Sequence, residues 1–214
     1  MKFPPLKEAI FLQRENRFVG KVLLNREEVR AYIRNTGRLT ELLRRGNKVY
    51  LKEKHQGKYP YEILLVDYMG TLVCIDSHIA PKIYAESLMP KNVVFEPKVN
   101  ASRFDLLVDD LLIEVKSVNL VVNGVALFPD APTKRGARHL RELAYLIDSR
   151  PACVVFIVQR EDALAFAPNC SVDPEFCKAF EEFRRKGGMV KAYRCSVSIE
   201  GISLKDEIIV LGGS

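Results

Sequence analysis

The sequence predicts an α/β protein in two parts: a small all-β barrel over residues 1–76, then an α/β unit with a mixed sheet over residues 77–214. Three observations predict it. The 214 residues are 48% hydrophobic and 28% charged, an ordinary globular composition with room for one large or two small domains. The first 76 residues read as short strands broken by turn residues. From Ser77 onward helical and strand patterns alternate.

In the first part, strands are expected at Phe18–Leu24, Glu28–Arg34, Lys48–Lys54, Glu62–Asp67 and Thr71–Ile75. Asn25-Arg26, Asn35-Thr36-Gly37-Arg38, Gly57 and Gly70 separate them. Five or six short strands in about 70 residues suit a closed barrel of the OB-fold kind. In the second part a helix is expected over His78–Met89, ended by Pro90. Strands follow at Asn92–Val99, Arg103–Val108 and Leu111–Val118. A helix over Thr133–Asp148 carries Leu140, Leu143, Ala144 and Ile147 on one face. Ala152–Val158 is almost wholly apolar, as a strand buried on both faces would be. Asp173 N-caps a helix from Pro174 to Lys186, Gly187-Gly188 stops it, and Met189–Tyr193 is a last inner strand.

The net charge is +6, unevenly spread: +9 on residues 1–60 and −3 on residues 61–214. A basic segment joined to a near-neutral one suggests a polyanion-binding module attached to something else. A lysine-rich solvated surface is the alternative. Arg14, Arg17, Arg34, Arg38, Arg44 and Arg45 supply charge for single-stranded or duplex DNA, and Tyr32 and Tyr50 are stacking candidates or, equally, barrel-wall residues. No apolar run is long enough for a membrane helix and the N-terminus lacks a secretory pattern, so a soluble, cytoplasmic protein is expected. Five cysteines form no C-x-x-C pair and are read as buried thiols. A Cys170–Cys177 disulfide remains open, and nothing in the sequence argues for it.

Asp109-Asp110 fits a two-residue hairpin loop. Centring a hairpin there pairs Phe104 with Val115, Leu106 with Ile113 and Val108 with Leu111 on one apolar face. The other face pairs Arg103 with Lys116, Asp105 with Glu114 and Leu107 with Leu112. A one-residue slip would destroy this segregation. Two carboxylates so opposed have Cβ atoms about 4.5–5.5 Å apart, and like charges directly opposite are destabilising. A divalent cation relieves that repulsion, and hard oxygen ligands favour Mg²⁺ or Mn²⁺. A second turn at Asn100-Ala101 would bring Glu96 opposite Asp105, making three candidate ligands: Asp105, Glu114 and Glu96.

Asp105 followed by Glu114-Val115-Lys116 is also the residue order of the PD-(D/E)xK nuclease motif, whose acids hold a water-activating metal. Its lysine positions the nucleophile or offsets developing charge. Glu86, on the preceding helix, is the candidate for a further acid. The catalytic candidates are thus Asp105, Glu114, Lys116 and Glu86. A surface ion-pair cluster on an exposed sheet face is the alternative. Lys134, Arg135, Arg138, His139 and Arg141 crowd the start of the following helix, where they can clamp a phosphate backbone or form a solvated face. No G-x-S-x-G, P-loop, GxGxxG, helix-turn-helix or zinc-finger pattern occurs.

The sequence resembles the sugar fermentation stimulation protein A family. The resemblance lies in Asn35-Thr36-Gly37-Arg38-Leu39, Ser102-Arg103-Phe104-Asp105, Ile113-Glu114-Val115-Lys116-Ser117-Val118, and Phe128-Pro129-Asp130-Ala131-Pro132-Thr133 running on to Arg135-Gly136 and His139-Leu140-Arg141-Glu142-Leu143. It implies an N-terminal OB-fold joined to a PD-(D/E)xK restriction-endonuclease-like domain, DNA binding, and a link to sugar, notably maltose, metabolism. Where many members carry His-Cys-Pro before the Asn-Thr-Gly-Arg stretch, this chain has Tyr32-Ile33-Arg34. Two functions stay open: a Mg²⁺- or Mn²⁺-dependent deoxyribonuclease, and a non-catalytic DNA-binding regulator of sugar metabolism genes. The oligomeric state is open, with a homodimer among the expectations.

Overall fold

The computed structural model describes residues 1–88, 92–99 and 102–212. The barrel comprises β1 (Leu6–Asn16), β2 (Val19–Leu24), β3 (Glu27–Tyr32), β4 (Lys48–Glu53), β5 (Tyr61–Tyr68) and β6 (Thr71–Cys74). Their order is β3-β2-β1-β4-β5-β6, and a parallel contact of β3 with β5 closes it. Asn25 and Arg26, both at positive φ, make the tight β2–β3 turn expected from the sequence. Phe11, Val22, Ile33, Leu51, Ile63 and Val73 fill the interior. β1 is not among the strands the sequence predicts. Its bulges at Phe11/Gln13 and Arg14/Asn16 shift the side-chain alternation that marks a strand.

The second part begins with a short 3₁₀ turn at Ser77–Ile79 and α1 (Ala80–Leu88). The expected helix end at Met89-Pro90 lies outside the described residues. Then come β7 (Val93–Phe95), β8 (Lys98–Val99), β9 (Ser102–Arg103), β10 (Leu106–Val108), β11 (Leu111–Val118), β12 (Leu120–Val122) and β13 (Val125–Phe128). They are followed by α2 (Lys134–Leu146), β14 (Ala152–Val158), β15 (Ala165–Pro168), α3 (Pro174–Arg185), β16 (Met189–Ser198) and β17 (Gly201–Val210). One mixed sheet runs β12-β13-β15-β17-β16-β14-β11-β10-β7. β11, β14 and β16 are mutually parallel, whereas β10 is antiparallel to β11 and β17 to β16.

Each sheet face has its own cover. α2 and α3 pack on one face through Leu140, Leu143, Ala144, Phe176, Phe180 and Phe183, against Val154, Phe156 and Phe166. α1 and the barrel's Leu64, Leu65 and Cys74 pack on the other, against Leu106, Ile113, Val155 and Ile157. With both faces covered, β14 is buried at all seven positions. Full burial of each Leu or Phe contributes roughly 1.5–3 kcal/mol. Asp173 ties the two covering helices together. Its Oδ1 accepts from Phe176 N as the α3 cap, and its Oδ2 accepts from Thr133 N beside the α2 cap.

The Asp109-Asp110 hairpin has the expected register, with Leu106 opposite Ile113 and Val108 opposite Leu111. The β7–β10 pairing likewise places Leu106 opposite Phe95, in the register expected of a turn near Asn100-Ala101. Those two turn residues themselves lie outside the described set. The expected strand Arg103–Val108 is interrupted at Phe104-Asp105, so Phe104 turns away from Val115. It joins Leu112 and Val118 beneath α2, not Leu106 and Ile113 on the far face. Cys170 and Cys177 form a disulfide with Cα atoms 5.5 Å apart, while Cys74, Cys153 and Cys195 are free and buried. The expectation of five buried thiols is corrected for that pair. The turn Asn169–Asp173 folds Cys170 back over the first turn of α3.

Polar contacts also join the barrel to the sheet. Asn35 Nδ2 donates to Ile75 O and Asn119 Oδ1, each at 2.9 Å, and its Oδ1 accepts from Gly37 N at 2.8 Å. Asn119 Nδ2 donates to Cys74 O at 2.7 Å. Gly37 sits so close to Asp130 that a Cβ would come within 2.4 Å of a carboxylate oxygen. Residues 1–3 leave the barrel and pair with the β16–β17 hairpin, through Ile202 and Glu200. Asn35→Ala removes three hydrogen bonds, two of them to buried groups, and is expected to lower stability by about 2–4 kcal/mol in denaturant unfolding.

Candidate functional site

The acid-bearing face of the hairpin lies under α2. Glu114 is only 3% exposed, which removes the reading of an ion-pair cluster on an open sheet. Burying a carboxylate requires partners, and Glu114 has two. Lys116 Nζ donates to its Oε1, and His139 Nδ1 lies 2.6 Å from the same oxygen. Arg135 Nε approaches His139 Nε2 at 3.4 Å, which leaves the imidazole proton on Nδ1, facing Glu114. Phe104 packs against the imidazole with ring centroids 5.6 Å apart. The second oxygen, Glu114 Oε2, is buried with no hydrogen-bond partner.

Asp105 stands in the break between β9 and β10, where its Oδ2 accepts from Val115 N at 2.7 Å. Burial, and then the charge of Glu114, push its pKa up to about 6. Burial acts upward on Glu114 too, but Lys116 and His139 outweigh it and hold the group well below the usual carboxylate range. Burial and charge thus move the two acids in opposite directions within one enclosure, which marks them as a candidate site.

Lys116 lines a cleft of about 250 Å³ where the two parts of the molecule meet. Arg17, Thr36 and Gly37 border it from the barrel, and Ser117, Asp130 and Thr133 from the sheet. The acids and Lys116 are therefore held by the hairpin and α2, and the barrel loop borders the cleft beside them.

The other expected site residues are dispersed. Glu96 N donates to Asp105 O at 3.0 Å, confirming their adjacency. Glu96 itself is at φ +53 and its side chain, 68% exposed, pairs with Arg103 at 3.0 Å. Glu86 lies on the α1 side of the sheet, opposite to α2, and pairs with the N-terminal amine at 2.9 Å. Among the described residues, no group of three or more His, Cys, Asp or Glu converges as a ready-made metal cage.

His139, expected to touch DNA, is buried and orients Glu114. Arg14 donates to the carbonyls of Arg17, Gly37 and Arg38, and so fastens the 35–38 loop. Arg34 is 4.0 Å from Asp76. Tyr50 packs between the barrel and the sheet's far side. Arg38, Arg44, Arg45, Lys134, Arg135 and Arg138 are exposed. Tyr32 stacks on Phe18 at 6.3 Å, with Lys54 over Tyr32 and Arg17 over Phe18. Phe18 was not among the expected contacts; it lies beside Arg17 in the turn between β1 and β2.

An OB-type barrel placed ahead of a restriction-endonuclease-like mixed sheet, with an Asp…Glu-x-Lys hairpin under a helix, defines the class of this protein. The model described as the SfsA N-terminal OB domain matches residues 12–75, and that of the sugar fermentation stimulation protein RE domain matches residues 74–201. The chain belongs to the sugar fermentation stimulation protein (SfsA) family. It is 54% identical over 208 residues to the sugar fermentation stimulation protein homolog of Aquifex aeolicus, covering 95% of this chain and 97% of that one. The homolog of Carboxydothermus hydrogenoformans is 41% identical over 226 residues, covering 98% of each. The solved structure of Pyrococcus furiosus SfsA in complex with Ca²⁺ superposes with a TM-score of 0.89 at 32% identity, covering 99% of this chain and 98% of that one.

The raised Asp105 pKa has a sign that can be measured. The folded state holds this proton more tightly than the unfolded chain, so its contribution is complete below pH ~4 and is lost as pH rises through about 6. Asp105→Asn keeps an acceptor for Val115 N and discards the buried charge. In metal-free buffer it is expected to stabilise the fold by on the order of 1–3 kcal/mol at pH 8. That gain should vanish toward pH 4, as read by urea unfolding at the two pH values.

Proposed function

We propose that this chain binds DNA and carries a divalent-metal site of nuclease type at which phosphodiesters are cleaved. The observation that carries the reading is the unpartnered, buried Oε2 of Glu114 beside Asp105, with Lys116 one step along the strand and open to the cleft. A buried carboxylate oxygen left bare costs free energy. A cation shared with Asp105 satisfies it and cancels the repulsion between the two acids. Two carboxylates without a full protein cage are the donor set that Mg²⁺ or Mn²⁺ accepts, since these ions complete their shell with water and substrate phosphate. The Ca²⁺ carried by the Pyrococcus furiosus relative supports a hard-cation site in the family.

When bound, such a cation lowers the pKa of a coordinated water and stabilises charge on the phosphate. The chain's own groups do the rest. Glu114 and Asp105 hold the cation's side of the site. The Val115 amide and the His139 imidazole keep the two carboxylates in place. Lys116, an ammonium at the cleft, orients the attacking water and offsets the charge that builds on the phosphate oxygens. The +9 charge of residues 1–60, and the Phe18–Tyr32 platform flanked by Arg17 and Lys54, support strand binding by the barrel. That charge also favours a second reading, a non-catalytic DNA-binding regulator of sugar metabolism genes.

With Mn²⁺ or Mg²⁺, the protein is expected to cleave single-stranded, nicked or duplex DNA. Asp105→Ala and Lys116→Ala should each slow cleavage by about 100-fold or more. Cleavage that survives in both variants would remove the assignment to this site. Metal binding without turnover would leave the regulatory reading standing. On either reading, affinity should fall as salt rises, and each arginine removed from a phosphate contact should lower the log–log slope by about 0.7–0.9.

A further inference from the structure

Helix α2 has an outer face that the nuclease reading does not use. Lys134, Arg138, Arg141 and Tyr145 are all exposed and follow one another at i, i+4, i+7 and i+11, which sets them in a single stripe. Their Cα atoms rise by about 4.5–6 Å from one to the next along the axis. The three cations come first and the ring comes last. Tyr145 is 75% exposed. A tyrosine so exposed at the end of a basic stripe offers a bare aromatic face.

Beside it lies a separate cavity of about 320 Å³. Val99, Phe104 and Leu146 give it an apolar lining, Tyr145 and Arg138 border it, and Ser102 hydrogen-bonds Glu142 at its polar edge. The cavity adjoins the acids without containing them. Phe104 precedes Asp105 in the chain and packs on His139, which holds Glu114. Among the described residues, Arg138 pairs with Glu142 at 3.6 Å and Arg141 with Glu175 at 2.8 Å. Exposed pairs of this kind are worth little and give way to a phosphate.

We propose that this cavity is a nucleobase slot. It takes one unstacked base of a single strand whose phosphates run along Lys134, Arg138 and Arg141, so that the protein selects unpaired over duplex nucleic acid. The positive charge leading to the slot is what favours a nucleotide over an apolar peptide side chain. A base inside a duplex has no free face to offer Tyr145, whereas an unpaired base does. This inference rests on the nucleic-acid reading above and names its preferred substrate.

The test uses the whole chain in EDTA, where strands are bound but not consumed. A fluorescein-labelled adenine oligonucleotide is titrated by anisotropy, alone and as a duplex with its complement. Tyr145→Ala is expected to weaken single-strand binding about tenfold. It should leave duplex binding and the salt slope unchanged, and Tyr145→Phe should restore wild-type affinity. An oligonucleotide lacking its bases should bind wild type and Tyr145→Ala equally weakly. Equal losses on single strand and duplex, or no loss on either, would overturn the slot while leaving DNA binding intact. A wild-type protein that binds neither strand at low salt would overturn the slot and the nucleic-acid reading together.

Discussion

Two carboxylates buried within reach of each other under one helix are the constraint on which the rest of this structure depends. Asp105 and Glu114 repel, and burial sharpens the repulsion. The protein answers with Lys116 and His139 on one oxygen of Glu114 and the Val115 amide on Asp105, and leaves Glu114 Oε2 bare. Three nearby features frame that arrangement. β10 breaks before Leu106 so that Asp105 can turn inward, and α2 is seated by a double cap so that His139 faces the sheet. The barrel loop at Asn35–Gly37 closes the cleft into which Lys116 opens.

The barrel is held to the sheet in two ways. Leu64, Leu65 and Cys74 continue the apolar layer of the sheet's far face. The Asn35–Asn119 pair then fixes the angle through directional bonds in a dry place. An apolar contact alone would permit sliding, whereas buried amides with satisfied partners specify one register. The site therefore inherits a rigid border from a domain that supplies none of its acids.

Much of this was legible in the sequence because register in a two-faced hairpin follows from side-chain alternation. The Asp109-Asp110 loop and the pairing of Leu106 with Ile113 follow from that rule. The rule failed at Phe104, where the strand breaks and the side chain crosses to the α2 face, a change that no local pattern announces. Glu96 illustrates the same limit. Its position in the register is as expected, but a positive φ turns its side chain to Arg103 and solvent. The β12–β13 hairpin was missed despite Asn123-Gly124, a strong turn signal, because the strands beside it are only three and four residues long. Strand β15 is only four residues long, and β17 loses its alternation at Lys205-Asp206-Glu207, where the β16–β17 register shifts. His139 could be singled out as a residue near the site, but a single sequence does not tell a buried histidine from an exposed one among four basic neighbours.

The central claim is that Asp105 and Glu114 together seat one divalent cation. The most direct measurement is an anomalous difference map from crystals of this protein soaked in Mn²⁺. The account predicts one strong peak in contact with Glu114 Oε2 and an Asp105 carboxylate oxygen. A map with no peak between those two side chains, while Mn²⁺ is found elsewhere on the molecule, would contradict it.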